Sequence, residues 1–148
     1  MKKRQSGVLM HISSLPGAHG IGSFGQSAYD FVDFLVRTKQ RYWQILPLGT
    51  TSYGDSPYQS FSAFAGNTHF IDLDILVEQG LLEASDLKGV DFGSDASEVD
   101  YAKIYYARRP LLEKAVKRFL EVGDVKAFER FAQDNQSWLE LFAEYMAI

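Results

Sequence analysis

Aromatic, hydroxyl, amide and carboxylate side chains crowd into one stretch of this 148-residue chain, Tyr53-Gly54-Asp55-Ser56-Pro57-Tyr58-Gln59-Ser60-Phe61. That mixture suits a sugar ring: an aromatic platform covers the apolar C–H face, and short polar groups hydrogen-bond the hydroxyls around the rim. On composition alone, Tyr53, Asp55, Ser56 and Tyr58 fit sugar binding and loop packing equally well. Phe61 and Phe64 read as core plugs. Glycosidic cleavage needs two carboxylates across one bond, and the stretch offers only Asp55, so this loop is not expected to act alone.

Other chemistries find less support. His11, His19 and His69 have no i,i+3 or i,i+4 spacing, and with no cysteine in the chain a zinc site has no thiolate to use. Each reads as a loop or core histidine, and no metal is expected. Ser56 lacks the G-x-S-x-G setting of a hydrolase nucleophile. Gly20-Ile21-Gly22-Ser23-Phe24-Gly25 matches G-x-G-x-x-G, the dinucleotide fingerprint. Seven residues including Pro16 separate that string from the preceding apolar run, however. The next strand also ends in Leu46-Pro47-Leu48-Gly49 with no acid for a ribose. These glycines read as turn formers before a helix, and no cofactor is expected. A net charge of -4 argues against a nucleic-acid partner. No apolar run approaches the roughly 20 residues that span a bilayer, so no membrane partner is expected and the setting is read as cytoplasmic.

The elements that must hold the aromatic stretch follow from periodicity. Up to Phe70 the chain carries six Lys/Arg and three Asp/Glu, and eight of its 12 Gly; the remainder carries nine and sixteen. The first part is therefore turn-rich and charge-poor, and the second reads as charged helices. Gly7–Ile12 is a nearly continuous apolar run, as expected of a strand buried on both faces. Ser23-x-x-Gln26 looks like a capping box, after which Ala28, Phe31, Val32, Leu35 and Val36 recur at helical spacing. Tyr42–Leu46 is a second strand. Strand, helix, strand makes a βαβ unit with parallel strands. Thr50–Thr68 has no period and reads as a long loop, a class often functional. Asp72–Gln79 is a helical turn or two stopped by Gly80, and 86–98 is an acidic surface loop. Two or three helices follow. Pro110 is expected to kink the first or begin a new one, and Ser137-x-x-Glu140 reads as a second capping box.

GVLMHISSLPGAHGIGSFG and RYWQILPLGTTSYGDSPYQSFSAFAGNTHFIDL together resemble the 4-α-glucanotransferases, the amylomaltases or disproportionating enzymes. The likeness is close over about residues 6–82 and looser through VDYAKIYYARRPLL. The GDSPYQSFSAFAGN and SSLPG strings are long, unusual and specific to that family. The resemblance implies an α/β fold, the first two βα units of a TIM (β/α)8 barrel followed by a helical subdomain. It divides the chain into 1–82, the first part of the barrel with a substrate-binding loop at 49–69, and 83–148, a mainly helical insertion. It places the GDSPYQ loop at the C-terminal face of the barrel, where such enzymes keep their sites.

The activity it implies is transfer of an α-1,4-glucan segment from a maltodextrin donor to another glucan or to glucose. The route is retaining: one carboxylate attacks the anomeric carbon, a second protonates the leaving oxygen, and a sugar replaces water in the second step. The family's three acids lie on later strands and have no counterpart in this sequence, so no catalytic residue is assigned. By resemblance Tyr58 is a donor-sugar stacking platform, Ser56 and Asp55 are polar or loop-shaping contacts, and Tyr53 and Tyr105 touch glucan further from the cleavage point. Two strands cannot close a barrel. The chain alone is therefore expected to be inactive and poorly stable, self-associating or dependent on a partner segment. A carbohydrate-binding module without catalysis and a small nucleotide-binding α/β domain are the alternatives.

Overall fold

The computed structural model describes residues 4–52, 54–95 and 97–148. Strand β1 (Gly7–Leu9) leads through a 3-10 turn at Ile12–Ser14 to helix α1 (Gln26–Arg37) and strand β2 (Tyr42–Gln44). A 3-10 turn at Thr68–Phe70 and helix α2 (Leu73–Glu78) follow, then a 3-10 turn at Ala84–Leu87. Helices α3 (Tyr101–Val122), α4 (Val125–Asp134) and α5 (Gln136–Ala147) complete the order.

The two strands pair in parallel, Gly7 with Tyr42, Val8 with Trp43 and Leu9 with Gln44, as strand–helix–strand order requires of a crossover. Backbone bonds Arg41 N–H to Ser6 O (2.8 Å) and Met10 N–H to Gln44 O (3.0 Å) extend the ladder at both ends. Trp43 docks α1 on the pair: its ring meets Phe31 edge-on with centroids 4.9 Å apart, and its Nε1 donates to Met10 O at 2.7 Å. Both strands are shorter than the apolar runs suggest, and Leu9 stays 59% exposed rather than buried on both faces. A two-stranded sheet has no further strands to shield its outer residues.

The core lies where the first loop, the 3-10 turn before α2 and helix α3 meet; Ile12, Leu15, Phe70, Leu73, Ile104 and Leu111 all belong to it. Residues on both sides of position 82 therefore share one apolar cluster. The buried face of α3 repeats at Ile104, Arg108, Leu111 and Ala115, the spacing of one helical stripe. Three sequence expectations fail here. Pro110 does not begin a new helix, because α3 is continuous across it: Pro110 and Tyr106 are exposed, so the carbonyl freed by the missing N–H lies on the wet side, while Arg108 and Leu111 anchor the opposite face. Ser23 does not cap α1, since Gly25 is the N-cap and the Ser23 hydroxyl donates to Asp72 Oδ2 at 2.5 Å. Ser137 lies inside α5; the junction residue is Asn135, whose Oδ1 accepts from Trp138 Nε1 at 3.0 Å.

The G-x-G-x-x-G string has a packing explanation. A Cβ at Gly20 would overlap the Phe92 carbonyl, one at Gly22 the Ile12 carbonyl, and one at Gly25 the Asp72 carboxylate; Gly20 also has φ +75°. The close approaches that a pyrophosphate would exploit are filled by this chain's own atoms, and the group nearest the α1 N-terminus is an acid. Gly25→Ala is therefore expected to destabilise the chain by about 1–3 kcal/mol. Gly66→Ala, with nothing within 4 Å of the added carbon, should stay within about 0.5 kcal/mol of the parent. Urea denaturation of the two variants checks the contrast, and equal stabilities would contradict it.

Candidate functional site

Among the described residues, the loop between β2 and the 3-10 turn at Thr68–Phe70 has no helix or strand of its own, so its backbone groups must be satisfied otherwise. Its ends are tied by an antiparallel bridge between Gly49 and Gly66 and by Asn67 N–H donating to Leu48 O at 2.8 Å. Serine side chains hold much of the interior. Ser62 Oγ accepts from the amides of Phe64 (3.1 Å) and Ala65 (3.0 Å), and Ser60 Oγ donates to Ser62 O at 2.7 Å. The serine content that reads as sugar-binding polarity is thus partly spent on shaping the loop.

Gly54 (φ +90°) and Asp55 (φ +54°) both occupy the left-handed region, and Asp55 N–H donates to Ser52 O at 3.0 Å. This tight turn aims Asp55 back toward α3. Ser56 Oγ accepts from the Tyr58 amide at 3.4 Å, and Gln59 N–H closes on Ser56 O at 3.1 Å. Tyr58 is left 72% exposed, its ring free for a partner. Asp55 and Tyr58 serve different faces. Tyr58 borders a hollow with Pro47, Gly49 and Phe64, while Asp55 lines both a small polar hollow of about 150 Å³ with His11 and Ser13 and a larger cleft. Tyr53 lies outside the described residues. Phe61 and Phe64 are not core plugs. Phe64 is 72% exposed and stacks on Trp138 at 5.7 Å, and Phe61 meets Tyr145 at 5.6 Å, so both reach out to α5.

The larger cleft holds about 740 Å³. Thr50, Ser52 and Asp55 form one wall, Asn67, Thr68 and His69 the floor, and α3 the other wall. On α3, Tyr105, Arg109, Glu113 and Lys117 recur every fourth residue along that wall. Arg109 Nη1 donates to the Tyr105 hydroxyl and its Nε to Glu113 Oε1, both at 3.0 Å, which fixes the tyrosine rim. Tyr105 is therefore brought to the same cleft as Asp55. The composition reading missed the floor residues and the polar ladder; the i,i+4 spacing of 105, 109, 113 and 117 was the available signal.

Burial dominates the electrostatics. It pushes the Tyr101 hydroxyl up from its ordinary value, with Ser13 opposing. It pushes His69 down; Arg108 adds to the drop and Asp55 resists it. His11 is lowered by burial alone. The Nδ1 atoms of both histidines are buried without a partner among the described residues. Among the described residues no cluster of three His, Asp or Glu side chains is placed to hold a metal, and no helix is long and apolar enough to cross a membrane.

The model of the 4-alpha-glucanotransferase family matches residues 10–148. The 4-alpha-glucanotransferase of Streptococcus pneumoniae serotype 4 (strain ATCC BAA-334 / TIGR4) is 96% identical over 148 residues, covering 100% of this chain and 29% of the relative. That of Thermus thermophilus is 45% identical over 148 residues, 98% of this chain and 29% of its own. Among solved structures, an amylomaltase from Streptococcus agalactiae in complex with acarbose superposes with a TM-score of 0.93 at 57% identity, covering 98% of this chain and 29% of that one. The chain thus spans about 29% of the length of these relatives.

A native histidine held below its ordinary pKa disfavours the proton that the unfolded chain accepts. Stability is complete above the unfolded histidine value and is lost as pH falls below it. The melting temperature is expected to drop between pH 7.5 and 5.5, and His69→Asn to flatten that slope. Calorimetry at stepped pH checks this; a flat or rising profile for the parent would contradict it.

Proposed function

The chain belongs to the 4-α-glucanotransferase family, and on that premise we propose that it supplies the first substrate-binding loop of a retaining glucan transferase whose catalytic acids lie on other segments. The observation that carries the reading is the loop itself: a serine-pinned, aromatic-rich segment presenting Tyr58 on one face and Asp55 on the other. A solved amylomaltase that superposes on this chain is in complex with acarbose, which supports a saccharide rather than a nucleotide as ligand. In this reading β1 and β2 are the first two strands of a (β/α)8 barrel, 1–82 is its opening part, and 83–148 is a helical subdomain beside it. Maltodextrin is the donor, a glucan or glucose the acceptor, and the cytoplasm the setting.

Each residue then has a task. Tyr58 stacks under the donor sugar. Asp55, held by its left-handed turn, contacts hydroxyls in the cleft, and Ser56 keeps the Tyr58 backbone in place. Tyr105, fixed by Arg109, and Tyr53 touch glucan further from the bond that is broken. Exposed Leu9, Tyr42 and Val36 around the two-stranded sheet are surface that a complete barrel would cover, so the chain alone self-associates.

Two measurements test the reading. This chain alone should release no glucose from maltotriose above a blank. In an enzyme of the relatives' full length carrying this sequence, Tyr58→Ala removes a stacking contact of about 0.5–1.5 kcal/mol and should lower kcat/KM for maltodextrin by ~3–10-fold. Transfer by the chain alone, or an unchanged kcat/KM in the variant, would contradict it.

A further inference from the structure

Arg108 is the most buried charged group among the described residues, 1% exposed on the core stripe of α3. No carboxylate lies within ion-pair distance of it among the described residues; burial pushes its pKa down to about 10, and the nearby Asp72 only partly offsets this. A buried cation without a close partner is costly and needs a compensating role. One of its terminal nitrogens donates to the Ile71 carbonyl, and its Nε has no partner.

The backbone of 67–72 shows what that one bond does. Asn67 N–H is taken by Leu48 O, Phe70 N–H by Asn67 O, Ile71 N–H by Thr68 O, and Phe70 O by Phe24 N–H. Asn67 Oδ1 accepts the His69 amide and Asp72 Oδ1 the Ile75 amide. Within this run the Ile71 carbonyl accepts from a side chain outside the run, and Arg108 supplies the donor. The same run carries Asn67, Thr68 and His69 into the cleft.

We propose that Arg108 is a positioning residue for the cleft: by clamping the Ile71 carbonyl it fixes the Asn67–Phe70 turn and so sets where Asn67 and His69 face a bound glucan. The proposal rests on the glucan reading of the cleft, and its test separates the two. His69 also reports Arg108, because after burial the Arg108 charge helps to hold the His69 pKa down, with Asp55 opposing it.

The experiment is NMR on an enzyme of the relatives' full length carrying this sequence, parent, Arg108→Met and Arg108→Lys, following the His69 ring titration, the amide shifts of residues 67–70, and maltoheptaose binding. In Arg108→Met the His69 midpoint should rise toward the ordinary histidine value, the 67–70 amides should shift, and maltoheptaose affinity should fall about fivefold or more. Arg108→Lys, keeping a cation that can donate, should return all three to near parent values. A residue that merely stabilises the fold would lower the melting temperature without these changes. A folded Arg108→Met with parent-like His69 and 67–70 signals overturns the proposal. If Arg108→Met does not fold, Arg108→Lys decides: a parent-like His69 midpoint and turn support the clamp, and an ordinary histidine midpoint with a displaced turn overturns it. Failure of the parent enzyme to bind maltoheptaose counts against the glucan reading, and the His69 and amide signals still decide the clamp.

Discussion

The junction at Ile71–Asp72 holds the rest of the structure in register. Arg108 reaches it from the middle of α3, Ser23 from the glycine-rich loop, and the Asp72 carboxylate caps α2 while filling the space beside Gly25 at the start of α1. Three segments far apart in sequence are thus locked by polar contacts at the edge of an apolar core. Such contacts are directional where apolar packing is not. They tie α3 to the segment that follows the turn at 68–70, a turn that forms part of the cleft floor.

The loop above that junction needs the same external support. It has neither ladder nor helix to hold its shape, and its ends are fixed by the Gly49–Gly66 bridge and the Leu48–Asn67 bond. Its serines cap its own amides, and its phenylalanines lean on α5. Tyr58 stays exposed on one side of the loop and Asp55 borders the cleft on the other. A surface of this kind is preorganised by contacts that involve no ligand, which keeps the ordering cost of binding low.

Much of this was legible in the residues. The parallel strand–helix–strand order, the unstructured stretch at 50–68, α2 ending at Gly80 and the apolar stripe of α3 all follow from periodicity and turn chemistry. The GDSPYQ string pointed to the family. Other features were hidden because a tertiary contact overrode a local signal. Ser23 looks like a helix cap yet its hydroxyl serves Asp72, and Pro110 looks like a break yet sits on the wet side of a helix anchored by its other face. Phe61 and Phe64 look like core because aromatic residues usually are, but their partners come from a helix some 75 residues away in sequence. Arg108 occupies an apolar position in the α3 stripe, and a charged residue there gives no sequence signal of burial or of what it holds.

The central claim is that residues 49–69 form the saccharide-contacting loop. Hydrogen exchange on an enzyme of the relatives' full length carrying this sequence, with and without acarbose, tests it most directly. The account predicts that acarbose slows exchange across 49–69 and at the cleft floor, Asn67–His69, while Gly20–Gly25 exchanges at an unchanged rate. Protection that bypasses 49–69, or that centres on Gly20–Gly25, would contradict it.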